Sequence, residues 1–414
     1  MSVAEREPVR KLVVDFDAVV ADRRDVDRDD VFARLRADLP VFFSERLDSW
    51  VVSRYEDVRR ILEDEVRFEP LREGPGAPVF GRSFLQMSGR EHNKKVGIVA
   101  RRIRTPRSLK EQLDGLVEQI ARRQAAALPL GETIDLRERY AMWIPLLAIT
   151  ELMALPEAAR FRDWYRAMAA GGVTSIADPS LREAAFRARA EVEEFLVPII
   201  EERRRSPGTD LVSDLVTAEY EGEPLPHDEI VSTVIFLLTA GVETTERVLT
   251  SVLRHLALDR EEWQALRARR GDPTALAAFS AEALRVFPPV NGLTRLAREP
   301  LEIAGSAIAE GARVCVLLGS ANRDEARFPD PDRFDRDRFA VKPDNQFATA
   351  GDILSFGAGG HHCTGSRLAA VEMVHALSRL LDRVEVLEPA GELPPPEGFI
   401  LRSPPALPVV LHGA

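Results

Sequence analysis

The sequence predicts a mainly α-helical fold with small β-sheets, and three observations carry that reading. Apolar residues recur at helical spacing from His92 to about Val286 with few interruptions. Strand-like runs are short and lie on either side of that stretch. No internal repeat and no low-complexity linker divides the chain. Length alone, 414 residues, suggests two or three domains, but large single domains exist, and the pattern reads most economically as one domain over residues 1–414.

Residues 30–36 read as a helix, 50–53 as a short strand and 55–62 as a second helix, with a long loop over 74–89. The helical stretches that follow are 111–127, 135–155, 181–205, 228–258, 260–269 and 274–286. Two strand-like runs come next, 301–304 and 313–318, and a last long helix runs from Ser366 to Asp382. The segment 228–258 is longer than globular helices usually are and is apolar in its middle, so it is expected to cross the core.

Composition is that of a soluble globular protein: 45% hydrophobic and 30% charged, which leaves ample material for a core. A net charge of −11 argues against general nucleic-acid binding. Cys315 and Cys363, the two cysteines, are far apart and suggest no disulfide framework, which fits a reducing cytoplasm. The N-terminus shows no apolar core behind a basic start, and the apolar stretch 231–242 is broken by Ser232, Thr233 and Thr239. A soluble cytoplasmic protein without membrane anchor is expected.

Three stretches carry chemistry. In Phe356-Gly357-Ala358-Gly359-Gly360-His361-His362-Cys363-Thr364-Gly365, a glycine-rich turn presents one cysteine and runs into a helix, whose positive end favours thiolate. One thiolate without a second nearby cysteine builds neither a usual zinc nor an iron–sulfur site, and an axial thiolate to haem iron stays open. In the long helix, Ala240-Gly241-Val242-Glu243-Thr244-Thr245 sets small residues beside an acid and two hydroxyls. Thr244 can turn onto a main-chain carbonyl and open a polar notch; the bland alternative is a solvated Glu243 with filler threonines. Glu282 and Arg285 are three apart on one helical face. Alone they are an ordinary surface pair, but a second arginine from the loop 327–334 can share the Glu282 carboxylate.

These three elements together resemble the cytochrome P450 family, in the expected order and over essentially the whole chain from Asp30. Phe356, Gly357, Gly359, His361, Cys363 and Gly365 match the haem-thiolate signature, which Leu368 and Ala369 continue. The segment 240–244 resembles the oxygen-activation segment, and Glu282 with Arg285 matches the Glu-x-x-Arg pair. The resemblance implies haem b between a long distal helix and a proximal cysteine loop, with Cys363 as axial ligand. It implies Glu243 and Thr244 as the proton-delivering pair and Glu282, Arg285 and Arg333 as structural residues. His92, Arg295 and His361 match positions that hold the haem propionates. In one departure, Val96 stands where similar bacterial proteins carry an arginine; Lys94 or Lys95 substitutes, or that contact is missing.

The same resemblance lines a substrate pocket with Phe84, Met87, Ala240, Val290, Leu293 and Ile400, largely apolar residues that suit an apolar small molecule. Nothing in the sequence reads as a flavin or nicotinamide domain, so electrons are expected from a separate ferredoxin and its reductase. Lys94, Lys95, Arg101, Arg102, Arg104, Arg107 and Lys110 are the expected docking patch, a solvated helix face being the alternative. Stretches at 206–212, 218–222 and 319–324 resemble the pulcherriminic acid synthase branch, which oxidises a cyclic dipeptide but lacks the acid–threonine pair; its substrate is not carried over. The implied activity is hydroxylation with O2 and two electrons, in bacterial secondary metabolism. Two alternatives stay open: an oxidase or peroxygenase of the same fold that couples carbons, desaturates or oxidises a cyclic dipeptide, and a haem-binding sensor or carrier without turnover. Cys315 reads as a buried small hydrophobe and His362 as a packing residue.

Overall fold

The structure, a computed structural model, describes residues 3–71, 77–171 and 179–413. They group into two compact units. The first takes Met1–Leu71, Ala278–Cys363 and Pro395–Pro405; the second takes Arg72–Ala277, Thr364–Pro394 and Ala406–Ala414.

In the first unit a five-stranded sheet runs in the order Val41–Ser44, Ser49–Val52, Arg313–Leu317, Gly292–Ala297, Phe68–Pro70. Only Arg313–Leu317 pairs parallel, with Val314 opposite Trp50. The other pairings are antiparallel; Val41–Ser44 and Ser49–Val52 are joined by a local turn, while Phe68–Pro70 pairs with Gly292–Ala297 across more than 220 residues of sequence. Leu301–Ile303 and Ser306–Ile308 form a separate hairpin. Its two turn residues, Ala304 (φ 47°) and Gly305 (φ 81°), are both left-handed, as a tight hairpin turn requires.

Helix Val3–Val20 has no counterpart in the sequence reading. Its Leu12, Phe16 and Val19, spaced along one face, join Phe32, Phe42, Val51, Cys315 and Leu317 in the core of this unit. The Phe16 ring meets Phe42 edge-on at 5.1 Å and Phe399 at 5.7 Å. Helix Arg28–Asp38 starts where Asp27 accepts hydrogen bonds from the amides of Asp29 and Asp30.

The second unit is helical. Its axis is the helix His227–Leu258, 32 residues long, called the long helix below. Trp143–Leu152 and Ala158–Ala169 pack against it, and Asp114–Ala126 packs against Ser366–Arg383, the helix that follows the cysteine loop. The buried Tyr140 phenol donates to the Ala376 carbonyl at 2.7 Å. Val384–Pro389, Pro408–Gly413 and Thr133–Asp135 form a three-stranded antiparallel sheet.

Two helices expected from sequence are interrupted. The stretch 135–155 begins as a strand because Asp135 accepts from the Leu407 amide at 2.9 Å as well as from Arg137 at 3.0 Å. A π-turn, Arg137–Ala141, then leads into Trp143–Leu152. The stretch 111–127 likewise starts in a π-turn, Leu109–Leu113. Of the loop expected at 74–89, residues 74–76 lie outside the described ones, while Ala77–Phe80 and Phe84–Gln86 are helical turns. The latter is closed by the Ser83 amide donating to Gln86 at 2.7 Å. Among the described residues, no helix is long and apolar enough to cross a membrane.

Candidate functional site

In the first unit the cysteine loop is held by its own backbone. The Cys363 amide donates to the Phe356 carbonyl at 2.8 Å, His362 to Gly359 at 3.1 Å and Gly357 to Leu354 at 2.9 Å. The buried Asn322 anchors its start, accepting from the Leu354 amide and donating to Ser355 Oγ. Gly357 and Gly359 both have φ +70°. A Cβ on Gly359 would sit 2.5 Å from the Leu62 carbonyl, and one on Gly360 would sit 2.1 Å from Glu65 Oε1. The loop is therefore glycine-rich because it lies directly on the end of helix Tyr55–Glu63.

Cys363 is exposed and Cys315 buried. Burial pushes the Cys315 thiol up to about 12, so it is the packing residue expected, and Cys363 is the cysteine that presents its sulfur. The His361 ring pairs with Glu65 through Nδ1 at 3.1 Å. His362 is buried, its ring 6.1 Å from that of Phe356.

Arg295 lies on strand Gly292–Ala297 and is 9% exposed. Its Nη1 donates to the carbonyl of its neighbour Thr294 at 3.2 Å, and among the described residues no carboxylate pairs with it. Desolvation lowers its pKa to about 10, against the opposing charge of Glu65. A buried guanidinium short of a counter-anion is a receptor for a carboxylate. The pocket residues expected on this unit gather around the same strand. A Cβ on Gly292 would lie 3.2 Å from Ile400, one on Gly357 would lie 3.9 Å from Leu293, and Val290 bridges to Leu401.

Glu282 and Arg285 are fully buried and bidentate, at 2.8 and 2.7 Å. Arg285 also donates to the carbonyls of Asn322, Pro331 and Arg333. The second arginine on Glu282 is Arg338, at 3.2 Å, and not Arg333. Arg333 contributes only its carbonyl, and its side chain is exposed. The loop's own turns decide this: Arg338 reaches back to the carbonyls of Pro329, Asp330 and Arg333, which carries its guanidinium onto Glu282.

In the second unit, the Thr244 hydroxyl donates to the Ala240 carbonyl at 2.8 Å, the back-bond anticipated from sequence. Gly241 faces Ile149, 3.8 Å from where a Cβ would stand. Glu243 is 5% exposed and pairs with Arg247 one turn on, at 2.7 Å, so it does not lie on a solvated face. Sequence reasoning missed two further acids nearby. Glu246 is fully buried, held by Arg137 at 2.8 Å and by the Tyr165 phenol. Glu372, on Ser366–Arg383, is 2% exposed; burial pushes its carboxyl up to about 8, opposed by a hydrogen bond with Thr245. Its signal was an acid at i+4 from Leu368, on the apolar face of that helix.

Helix Gly89–Ile103 carries a buried His92. Lys95 is no substitute for the arginine absent at Val96: its ammonium pairs with Glu91 at 2.9 Å and Glu229 at 2.7 Å, and stands 4.9 Å over the Tyr220 ring. Arg82, then Lys95, pull the Glu91 carboxyl down to about 2. Lys94 is exposed. The basic stretch thus shrinks as a docking patch, since Arg102 pairs with Asp214 at 2.5 Å and Arg107 with Glu111 at 2.9 Å. Lys94, Arg101 and Lys110 remain exposed without an ion pair among the described residues. Phe84 and Met87 are buried, and the Phe84 ring meets Phe236 edge-on at 6.2 Å.

Residues 161–410 match the cytochrome P450 family. Pulcherriminic acid synthase of Bacillus subtilis is 30% identical, over 92% of this chain and 95% of its own. Mycinamicin IV hydroxylase/epoxidase of Micromonospora griseorubida is 33% identical, over 88% and 89%. Among solved structures, cytochrome P450 CYP109Q5 from Chondromyces apiculatus superposes with a TM-score of 0.79 at 29% identity, covering 94% of this chain and 96% of that one.

Proposed function

The chain belongs to the cytochrome P450 family, and from that premise we propose that Cys363 is the thiolate of its haem and that substrate is oxidised beside Thr244. As a cytochrome P450 monooxygenase it uses haem b with an axial cysteine thiolate. When bound, the haem supplies the dioxygen activation that places one oxygen atom in a substrate C–H bond.

The observation that carries the assignment is the pairing of an exposed Cys363 on its glycine loop with a buried Arg295 that lacks a counter-carboxylate among the described residues. A haem brings the two groups such a site needs, a metal for the thiolate and carboxylates for the guanidinium. Arg295, His92 and His361 would hold those carboxylates, the roles that the family resemblance implies for them.

Thr244 donates its proton to Ala240, which leaves its oxygen lone pairs to accept from water or substrate. Glu243 carries protons to it, exchanging its partner Arg247 to do so. The substrate is a largely apolar small molecule, in keeping with Phe84, Met87, Ala240, Val290, Leu293 and Ile400. A ferredoxin with its reductase delivers two electrons, docking at Lys94, Arg101 and Lys110. Relatives that act on natural products support a place in bacterial secondary metabolism. The pulcherriminic acid synthase match supports a second reading, oxidation of a cyclic dipeptide.

The test is the ferrous–CO spectrum of the haem-loaded protein. A red-shifted Soret band, lost in Cys363→Ser and kept in Cys315→Ser, is expected. A wild-type spectrum without that band overturns the assignment.

A further inference from the structure

The long helix is buried on every side but one. Between Ile230 and Leu253 its half-open positions are Phe236, Leu237, Ala240, Gly241, Thr244 and Arg247. At 3.6 residues per turn these fall on a single stripe. The row of every fourth residue through Thr244, Ala240 and Phe236 continues one turn further to Ser232, a buried hydroxyl.

At that end stands Arg189 of helix Pro179–Arg205. Its Nη1 donates to the Val79 carbonyl at 2.9 Å, and its Nη2 lies 3.5 Å from Ser232 Oγ. These use at most two of the five N–H donors of a guanidinium. Among the described residues no carboxylate pairs with it, whereas Arg102, Arg137, Arg203 and Arg247 of the same unit each have one. The main chain closes tightly over the spot: Gly81 has φ +74°, and a Cβ there would lie 2.2 Å from Ser232 Oγ and 3.2 Å from Arg189 Nη1. Val79 and Phe80, which lead into Gly81, are buried and apolar, and Phe84 meets Phe236 on the next turn of the stripe. A half-buried guanidinium with spare donors and apolar neighbours, at the head of an apolar stripe, has the fork geometry that takes a carboxylate.

We propose that Arg189 anchors the carboxylate of an elongated apolar substrate whose far end is oxidised beside Thr244. From Ser232 to Thr244 the helix rises about 18 Å, which sets the length of chain between anchor and reacting carbon. The inference deepens the monooxygenase reading and rests on it. It assigns the substrate class: a long-chain carboxylic acid, oxidised toward the end remote from its acid group.

The experiment is a spin-state titration of the haem-loaded protein with saturated carboxylic acids of increasing chain length and with the primary alcohol of each length. The red-shifted CO band is recorded first in every variant, so that loss of the monooxygenase reading shows separately. Wild type is expected to bind an acid at least tenfold tighter than its alcohol, Arg189→Gln to lose that preference while alcohol binding stays within twofold, and Arg189→Lys to recover part of it. If the variant weakens acid and alcohol alike, Arg189 only holds the Val79 carbonyl and the proposal fails. It fails equally if no acid in the series shifts the spin state, or if acid and alcohol bind wild type equally.

Discussion

Thr245 on the long helix shares a hydrogen bond with Glu372 on the helix behind the cysteine loop, and both side chains are buried. Burial, the larger effect, holds the Glu372 carboxyl near 8, against an ordinary value of 4.5. The folded protein therefore binds a proton there that the unfolded chain has released. Stability falls as pH rises from about 4.5 to about 8 and levels off above that, by up to about 1.4 kcal/mol per pH unit. Glu372→Gln should flatten this slope, read from urea unfolding of the haem-loaded protein between pH 5 and 9. An unchanged slope would mean the group is not protonated in the native state.

Glu282 bonds Arg285 and Arg338 while the Arg333 side chain is exposed. Removing one partner of a buried pair strands the other, so Arg285→Ala should cost about 3–5 kcal/mol. Arg338→Ala, which leaves Glu282 its other partner, should cost roughly 1–2 kcal/mol. Arg333→Ala should stay within about 0.5 kcal/mol. Chemical denaturation of the three variants checks the order; a larger loss for Arg333 than for Arg338 would reverse the assignment.

Thr244→Ala removes the hydroxyl bonded to Ala240 without touching the cysteine loop. Product per electron should fall about tenfold or more, the electrons appearing as hydrogen peroxide, with the CO band unchanged. Product yield close to wild type would favour an oxidase or peroxygenase. The readout is the peroxide-to-product ratio with a surrogate ferredoxin and reductase.

Lys94→Glu and Lys110→Glu should raise the KM for an acidic ferredoxin several-fold at low salt, and the effect should shrink as the Debye length falls to about 3 Å at 1 M salt. Lys95→Met should act on stability instead, because its ammonium is spent on Glu91 and Glu229. Steady-state reduction rates at two ionic strengths, with a melting curve for each variant, separate the two effects.

The cysteine loop, the Glu282–Arg285 pair and the Thr244 back-bond were legible because each is written in a short stretch, where glycines or residues three to four apart fix the geometry. The remainder depended on partners distant in sequence. Lys95 cannot be read as buried without Glu229, and Glu372 cannot be read as a raised acid without its burial. The choice of Arg338 over Arg333 is made by turns such as the one at Asp330, whose φ is 46°. Helix Val3–Val20 escaped because Pro8 and scattered charges blur its periodicity, although Phe16 anchors the core.

The contact between Gly359, Gly360 and the end of helix Tyr55–Glu63 ties two regions nearly 300 residues apart into one unit of heritable change. A side chain at position 360 has to displace the Glu65 carboxylate, and Glu65 is the residue that holds His361. Directed evolution aimed at the cysteine loop alone will keep returning glycine at 359, where φ is +70° and a Cβ would meet the Leu62 backbone, whereas at 360 only the end of the Glu65 side chain has to move. Libraries that vary residues 62–66 together with 359–361 open sequences that neither segment can reach by itself.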